Sequence, residues 1–206
     1  MFLNVSNFLL LTLSLASASY FVYDLYYKKR KQENNDIHEA IMFSYGAKEL
    51  KRSKHSRCMI TESMDRLLYY LNSPRHSIDI CMYVITNMDL ANVIIKLHIR
   101  GVKIRIIVDA DMAFSNGSAI KRFEKQGIPV RWMKSTNIMH HKFCLIDTLN
   151  MENMKNTPFV MCGSLNWTNQ GLSGNWEDVI VTSQKEIVEQ YKTEFEKLWL
   201  QFKSIV

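Results

Sequence analysis

Six polar residues in the second half of the chain stand at spacings that suit one phosphate. In the run MHHKFCLID, His140, Lys142 and Asp147 form an H-x-K-x4-D pattern. On a β-strand, alternate residues share a face, so the imidazole of His140 and the ammonium of Lys142 can meet the same phosphate group. Downstream, GSLNWT brings Ser164 and Asn166 at the same two-residue spacing, with Gly163 beside them allowing close approach of backbone or ligand. Eleven residues beyond Asn166, Glu177 opens another strand candidate and can orient an imidazole by accepting its second N–H. The set reads as catalytic His140, Lys142, Asp147, Asn166 and Glu177, with Lys142, Ser164 and Asn166 binding substrate and no metal. A lone strand histidine is ordinarily structural; it is this company that gives His140 its chemistry. His141, one residue on, points to the opposite face.

These residues need a scaffold, and the apolar periodicity supplies one. Met64, Leu67, Leu68 and Leu71 make a helical stripe ending before Pro74, and Ile78 to Ile85 is a strand-like run. Leu90, Ile94 and Leu97 make a second stripe closed by Gly101, after which Val102 to Val108 alternates with Lys103 and Arg105. A short helix over 119–126 and a strand near 130–133 follow, then strands at 139–147, 158–162 and 177–182. Ile187, Tyr191, Phe195, Leu198 and Phe202 line a long terminal helix. Alternation of this kind predicts an α/β fold, a mixed sheet flanked by helices on both faces, with its ligand outside the strand ends. Asp109 and Asp111 end a strong strand and read as caps rather than metal ligands.

HHKFCLID, GSLNWT and the following Glu177 resemble the signature of the phospholipase D superfamily, and among its members the single-motif, mitochondrial kind. The similarity runs from about residue 60 to the end through SIDICMYVIT, RGVKIRIIVDAD and GLSGNWEDVIV. It implies that His140 attacks phosphorus, that Lys142 and Asn166 stabilise the non-bridging oxygens, and that Glu177 holds the His140 ring. Asp147 would support the strand end. Donors aimed at developing phosphoryl charge contribute about 3 kcal/mol each. Attack by one imidazole leaves an alkoxide that needs a proton, and the chain has one copy of the motif. The second imidazole then comes from a second chain, in a homodimer with a composite site. Water would release a 5′-phosphate from the phosphohistidine, with no cofactor required for catalysis.

Residues 1–27 read as a membrane anchor. No charge occurs from Val5 to Tyr23, the run is long enough for a bilayer core of roughly 30 Å, and Lys28, Lys29, Arg30 and Lys31 follow it, which places that side in the cytosol. A cleaved signal peptide is the rival reading, through Ala16-Ser17-Ala18, but no Lys or Arg precedes the apolar run. Residues 28–60 read as a basic and polar linker, and 61–206 as the catalytic domain. Family members carry a Cys/His zinc element in that linker. Here His55 and Cys58 fall where remnants would lie, but with one cysteine and His38, His55 and His76 between 32 and 76, a four-ligand structural zinc site is in doubt.

The net charge of +6 favours anionic partners. Lys48, Lys51, Arg52, Lys54 and Arg57 form a basic face that can guide a nucleic-acid backbone. Cys81, Cys144 and Cys162 lie in apolar runs and, with Cys58, predict buried thiols in a reducing compartment. Trp167 reads as a packing residue. Three functions follow from the resemblance and the charge. The first is a single-strand-specific endoribonuclease on the mitochondrial outer membrane, acting on single-stranded RNA with proteins of the PIWI-interacting RNA pathway. The second is hydrolysis of cardiolipin to phosphatidic acid, and the third a non-catalytic, membrane-tethered RNA-binding scaffold.

Overall fold

The computed structural model describes residues 5–33, 36–46, 49–149 and 156–204. It divides into two compact units, Met1–Asp36 and Ile37–Val206. The first holds one helix, α1 (Val5–Glu33). Two of its hydroxyl residues turn inward on the helix backbone: Ser17 donates to the Ser14 carbonyl at 2.9 Å and Ser19 to that of Leu15 at 2.8 Å, which satisfies them without water. Among the described residues no helix is long and apolar enough to cross a membrane. Of the anchor expected over 1–27, the side chains of residues 1–11 lie outside those described.

The second unit runs β1 (His38–Phe43), α2 (Glu62–Leu71), β2 (Ser77–Met82), α3 (Met88–Ile99), β3 (Lys103–Val108), α4 (Ala110–Ala113), α5 (Ile120–Lys125) and β4 (Val130–Trp132). It continues with β5 (Lys142–Ile146), β6 (Phe159–Gly163), α6 (Asn169–Ser173), β7 (Glu177–Thr182), α7 (Lys185–Gln201) and β8 (Lys203–Ser204). The strands form one sheet in the order β1-β7-β6-β5-β2-β3-β4-β8. β2, β3 and β4 are parallel, whereas β1, β7, β6 and β5 pair antiparallel, and β5 joins β2 antiparallel.

Side-chain alternation explains why helices cover both faces. Ile78, Ile80 and Met82 of β2 pack with Cys144 and Ile146 of β5 beneath α2, α3 and α5, in a core containing Leu67, Leu71, Leu90, Ile94 and Phe123. The alternate residues Cys81, Ile107, Phe143, Leu145 and Val160 face the other way, onto Val188, Phe195 and Leu198 of α7. β2 is buried along its whole length, as a central strand covered on both sides must be. Within the α7 layer, Arg105 bridges Asp79 of β2 (2.7 Å) and Glu196 of α7 (2.6 Å), and its guanidinium lies 4.8 Å from the Phe195 ring centre. An almost fully buried Asp79 is thereby paired, and α7 is tied to the sheet.

β1 is a strand inside the stretch read as linker. It pairs with β7 from His38 opposite Thr182 to Phe43 opposite Glu177, and Arg66 of α2 reaches back to Glu39 and Tyr70. Its six residues alternate only weakly, and the cue that makes them a strand is the open edge of β7. The Gly163 backbone meets β7 so closely that an added Cβ would sit 2.2 Å from the Asp178 carbonyl oxygen. The glycine therefore serves backbone packing, one of the two roles its position suggested.

Candidate active site

Four strand ends converge on the candidate residues. His140 and His141 lie on the extended approach to β5 and Lys142 is its first residue; Ser164 and Asn166 follow the last residue of β6, and Glu177 is the first of β7. Because β6 runs antiparallel to both neighbours, all of these lie at one end of the sheet. Tyr83, just past β2, joins them through its N–H, which donates to the His141 carbonyl at 2.9 Å.

The Lys142 ammonium donates to the His140 carbonyl at 2.9 Å and lies 5.4 Å from the Tyr83 ring centre. The His140 ring meets the same tyrosine edge-on, with centroids 4.7 Å apart. His140 and Lys142 thus share a face and an aromatic wall. His141 turns to the α7 side, with its ring near Phe143 and Nε2 3.6 Å from a Glu194 carboxylate oxygen. Burial pulls the Lys142 ammonium below the ordinary lysine value, and the negative charge of Glu177 opposes that shift.

Glu177 is placed differently from expectation. One carboxylate oxygen accepts from Ser164 Oγ at 2.5 Å and the other from Asn175 Nδ2 at 2.8 Å, while Ser164 Oγ accepts the Asp178 N–H at 3.0 Å. Within the chain the carboxylate binds these two side chains, and its expected hold on the His140 ring is not made within one copy. The serine, read as substrate-binding, also fixes Glu177 to β6. Asn166 Oδ1 is buried without a hydrogen-bond partner. Such an atom costs about 1–3 kcal/mol, and a ligand donor, or an exchange of the amide's oxygen and nitrogen against a ligand acceptor, removes the cost. The backbone holding Asn166 is firm: the Trp167 carbonyl accepts the N–H groups of Thr86 and Asn87, each at 2.9 Å, and Trp167 itself is buried, as its packing role required.

Asp147 does not join them. It stands at the far end of β5, seven residues from His140 and so roughly 23 Å away along an extended strand. Only 2% exposed, it accepts the backbone N–H groups of Arg75 (3.1 Å), His76 (2.8 Å) and Ser77 (2.9 Å) at the entrance to β2. Its φ of +55° aims the carboxylate at that loop. A catalytic contact is corrected to a structural clamp, the supporting part that its place in the motif also suggested.

Two features escaped the sequence reading. Asp109 caps α4 through the N–H of Asp111 at 3.1 Å, as a strand-end Asp should, but its other oxygen accepts the Met139 N–H at 2.9 Å. It thus anchors the residue before His140. Tyr83 was equally silent in sequence, since a tyrosine after an apolar strand reads as core. The zinc candidates do not assemble: Cys58 is exposed, His38 is 3.0 Å from the Thr182 hydroxyl, and His55 packs against Tyr69. Among the described residues no three metal-ligating side chains come together. The four cysteines are free, Cys81 and Cys144 buried, and Cys162 partly buried.

Polar residues gathered at the strand ends of a mixed sheet of this order point to a class. Residues 67–199 match the family described as "Cardiolipin synthase, PLD-like domain", and the chain belongs to that phospholipase D-like family. Proteins called mitochondrial cardiolipin hydrolase are similar to it: that of Chlamydomonas reinhardtii is 41% identical over 68% of this chain and 59% of its own length. The human protein is 34% identical over 80% of this chain and 63% of its own. The chain therefore matches about three fifths of these relatives. Among solved structures, Nuc from Salmonella typhimurium, a phospholipase D family member, covers 82% of this chain and 97% of its own with a TM-score of 0.64 at 19% identity. NucT from Helicobacter pylori covers 82% and 99% with a TM-score of 0.65 at 22% identity. At those identities the agreement is one of fold.

Two outcomes are expected. Replacing Asp147 by Ala strands three backbone donors and should lower stability by about 2–4 kcal/mol in urea unfolding, while turnover per folded molecule stays near wild type. In the role expected of Lys142, stabilising phosphoryl oxygens, the protonated form is the active one. The alkaline fall in a pH–rate profile should therefore come below that of an ordinary lysine, and Glu177→Gln should move it lower still, because a neutral amide no longer favours the ammonium. A limb at the ordinary lysine position would contradict the burial argument.

Proposed function

We propose that this protein is a phosphodiesterase that works through a phosphohistidine, and that its substrate is single-stranded RNA. The observation that carries the reading is the convergence of His140, Lys142, Asn166 and the Ser164–Glu177 pair at one end of the sheet. An imidazole nitrogen of His140 forms a bond to phosphorus as the bond to the 3′-oxygen breaks. Lys142 and an amide N–H of Asn166 stabilise the charge on the non-bridging oxygens. The departing oxygen takes a proton from a second imidazole, and water then attacks the phosphohistidine, leaving a 5′-phosphate on one fragment and a 3′-hydroxyl on the other. One chain has a single histidine of this kind, which supports a homodimer pairing two His140 residues about a twofold axis. His141, tied to the α7 face, is not available for the task.

RNA is favoured over lipid by exposed cations on a segment that adjoins the site in sequence. Arg52, Lys54 and Arg57 are exposed on the segment between β1 and α2, which leaves β1 at the Glu177 end of the sheet, and they suit a polyanion. The second reading, release of phosphatidic acid from cardiolipin, is supported by the names of the relatives. An N-terminal anchor in the mitochondrial outer membrane, with the catalytic unit in the cytosol and serving the PIWI-interacting RNA pathway, belongs to the same proposal. It rests on the charge pattern of residues 1–31, on the word mitochondrial in the relatives' names and on the motif resemblance.

End-labelled single-stranded RNA and cardiolipin vesicles offered in parallel separate the substrates. The expected result is RNA cleavage to 5′-phosphate ends, abolished by His140→Asn, with little phosphatidic acid. Lipid turnover without RNA cleavage would select the second reading, and RNA cleavage by the Asn variant would exclude the mechanism. Equal mixing of wild type with His140→Asn tests the composite site. Once subunits exchange, activity should fall toward half, because mixed dimers lack one imidazole; an unchanged rate would mean each chain acts alone.

A further inference from the structure

Trp176 is 75% exposed and Tyr45 is 65% exposed, yet their rings are partnered with each other, centroids 5.9 Å apart and planes inclined at 54°. Both positions follow from the sheet. Phe43 at the end of β1 lies opposite Glu177 at the start of β7; Tyr45 is two residues beyond the one and Trp176 one residue before the other. Asn175 and Glu177 are joined by a hydrogen bond of 2.8 Å, so the alternation of extended chain turns the intervening indole away from that pair. An open aromatic pair therefore sits on the shoulder of the site, next to the residue that carries the Glu177 carboxylate. It does not pack the core, and among the described residues neither ring is held by a polar contact through its edge. Beyond Tyr45 the chain continues to exposed Arg52, Lys54 and Arg57. Aromatic faces beside a phosphate pocket, with cations further out, match a ligand that alternates phosphates with flat bases.

We infer that Tyr45 and Trp176 form a base-stacking subsite that receives a nucleobase of the single strand flanking the scissile phosphate. The inference rests on the nucleic-acid reading above and adds to it a reason for single-strand preference. A base can lie on an exposed ring only when it is unstacked from a complementary strand. Stacking tolerates every base, because each has a π-face, so this subsite confers position along the strand without sequence specificity. A bilayer surface also attracts Trp, Tyr and cations. What favours the single strand is that the pair lies beside Glu177 at the strand-end site, where a base neighbouring the bound phosphate would fall.

The test uses the full chain carrying His140→Asn, so that binding is read without cleavage. A fluorescent 12-residue single-stranded RNA is titrated by anisotropy against this protein and against versions also bearing Trp176→Ala, Tyr45→Ala or Trp176→Phe. Loss of affinity of about tenfold for each alanine, with most of it restored by phenylalanine and no comparable loss for the matching duplex, is expected. Unchanged RNA affinity in Trp176→Ala overturns the inference. So does an effect accompanied by a changed sedimentation mass, which makes the pair a contact between copies, or by equal loss of binding to cardiolipin vesicles, which makes it a membrane contact. Hydrolysis of bis(p-nitrophenyl) phosphate by the protein with His140 intact reports separately on the chemistry. Its failure would count against the phosphodiesterase reading, whereas the RNA-binding result stands independently of it.

Discussion

The register of β5 is the constraint on which the site depends. The strand lies between β2 and β6, pairing with both antiparallel, and its side chains divide between two different cores. Cys144 and Ile146 belong beneath α2 and α3, and Phe143 and Leu145 beneath α7. A slip of one residue would exchange those sets and carry His140 and Lys142 to the opposite face. The register is held at both ends by hydrogen bonds that are not part of the ladder. Asp109 takes the Met139 N–H, Tyr83 gives its N–H to the His141 carbonyl, and Asp147 gathers three N–H groups of residues 75–77. His140 and Lys142 are thus placed by backbone contacts and packing.

The sheet's change of sense explains where the pocket lies. β2, β3 and β4 form a parallel half with helical crossovers, and β5, β6, β7 and β1 an antiparallel half. Where they meet, the end of β2 and the approach to β5 lie side by side, and the segment after β6 is brought against the loop after β2 through the Trp167 carbonyl. Polar side chains from segments distant in sequence converge there because strand ends leave backbone and side chains outside the layered core. The Arg105–Asp79–Glu196 network secures the opposite layer by fastening α7 to β2 and β3. It keeps the helix over Phe143, and hence over the face that His141 shares.

The arrangement is also an incomplete one. Lys142 is partly desolvated, Asn166 holds an unpartnered oxygen, and Glu177 is engaged by Ser164 and Asn175, while the His140 ring has an aromatic wall for company. In the proposed mechanism such groups would gain contacts from a ligand and from a second copy of the chain. That chemistry would use both, since it needs an acid as well as a nucleophile.

Much of this was legible in the amino-acid sequence, because it is local. Period-two and period-3.6 apolar patterns marked β2, α3, β3, β7 and α7, and the two-residue spacing of His140 and Lys142 placed them on one face whatever the strand's neighbours. The H-x-K-x4-D and GSLNWT signatures led to the family. What the tertiary structure alone decided depends on pairing across long separations. β1 is a strand because β7 offers it an edge 140 residues away in the chain. Asp147, spaced like a catalytic residue, is removed from the site by the length of the strand that separates it from His140. Ser164 and Asn175 claim the carboxylate that spacing alone would have assigned to the imidazole. Tyr83, Asp109 and the Tyr45–Trp176 pair carry no periodic signal, and their meaning comes from the strand ends to which the sheet delivers them. Spacing along a chain specifies which face a side chain shares with its near neighbours, and only the closed sheet specifies what stands opposite.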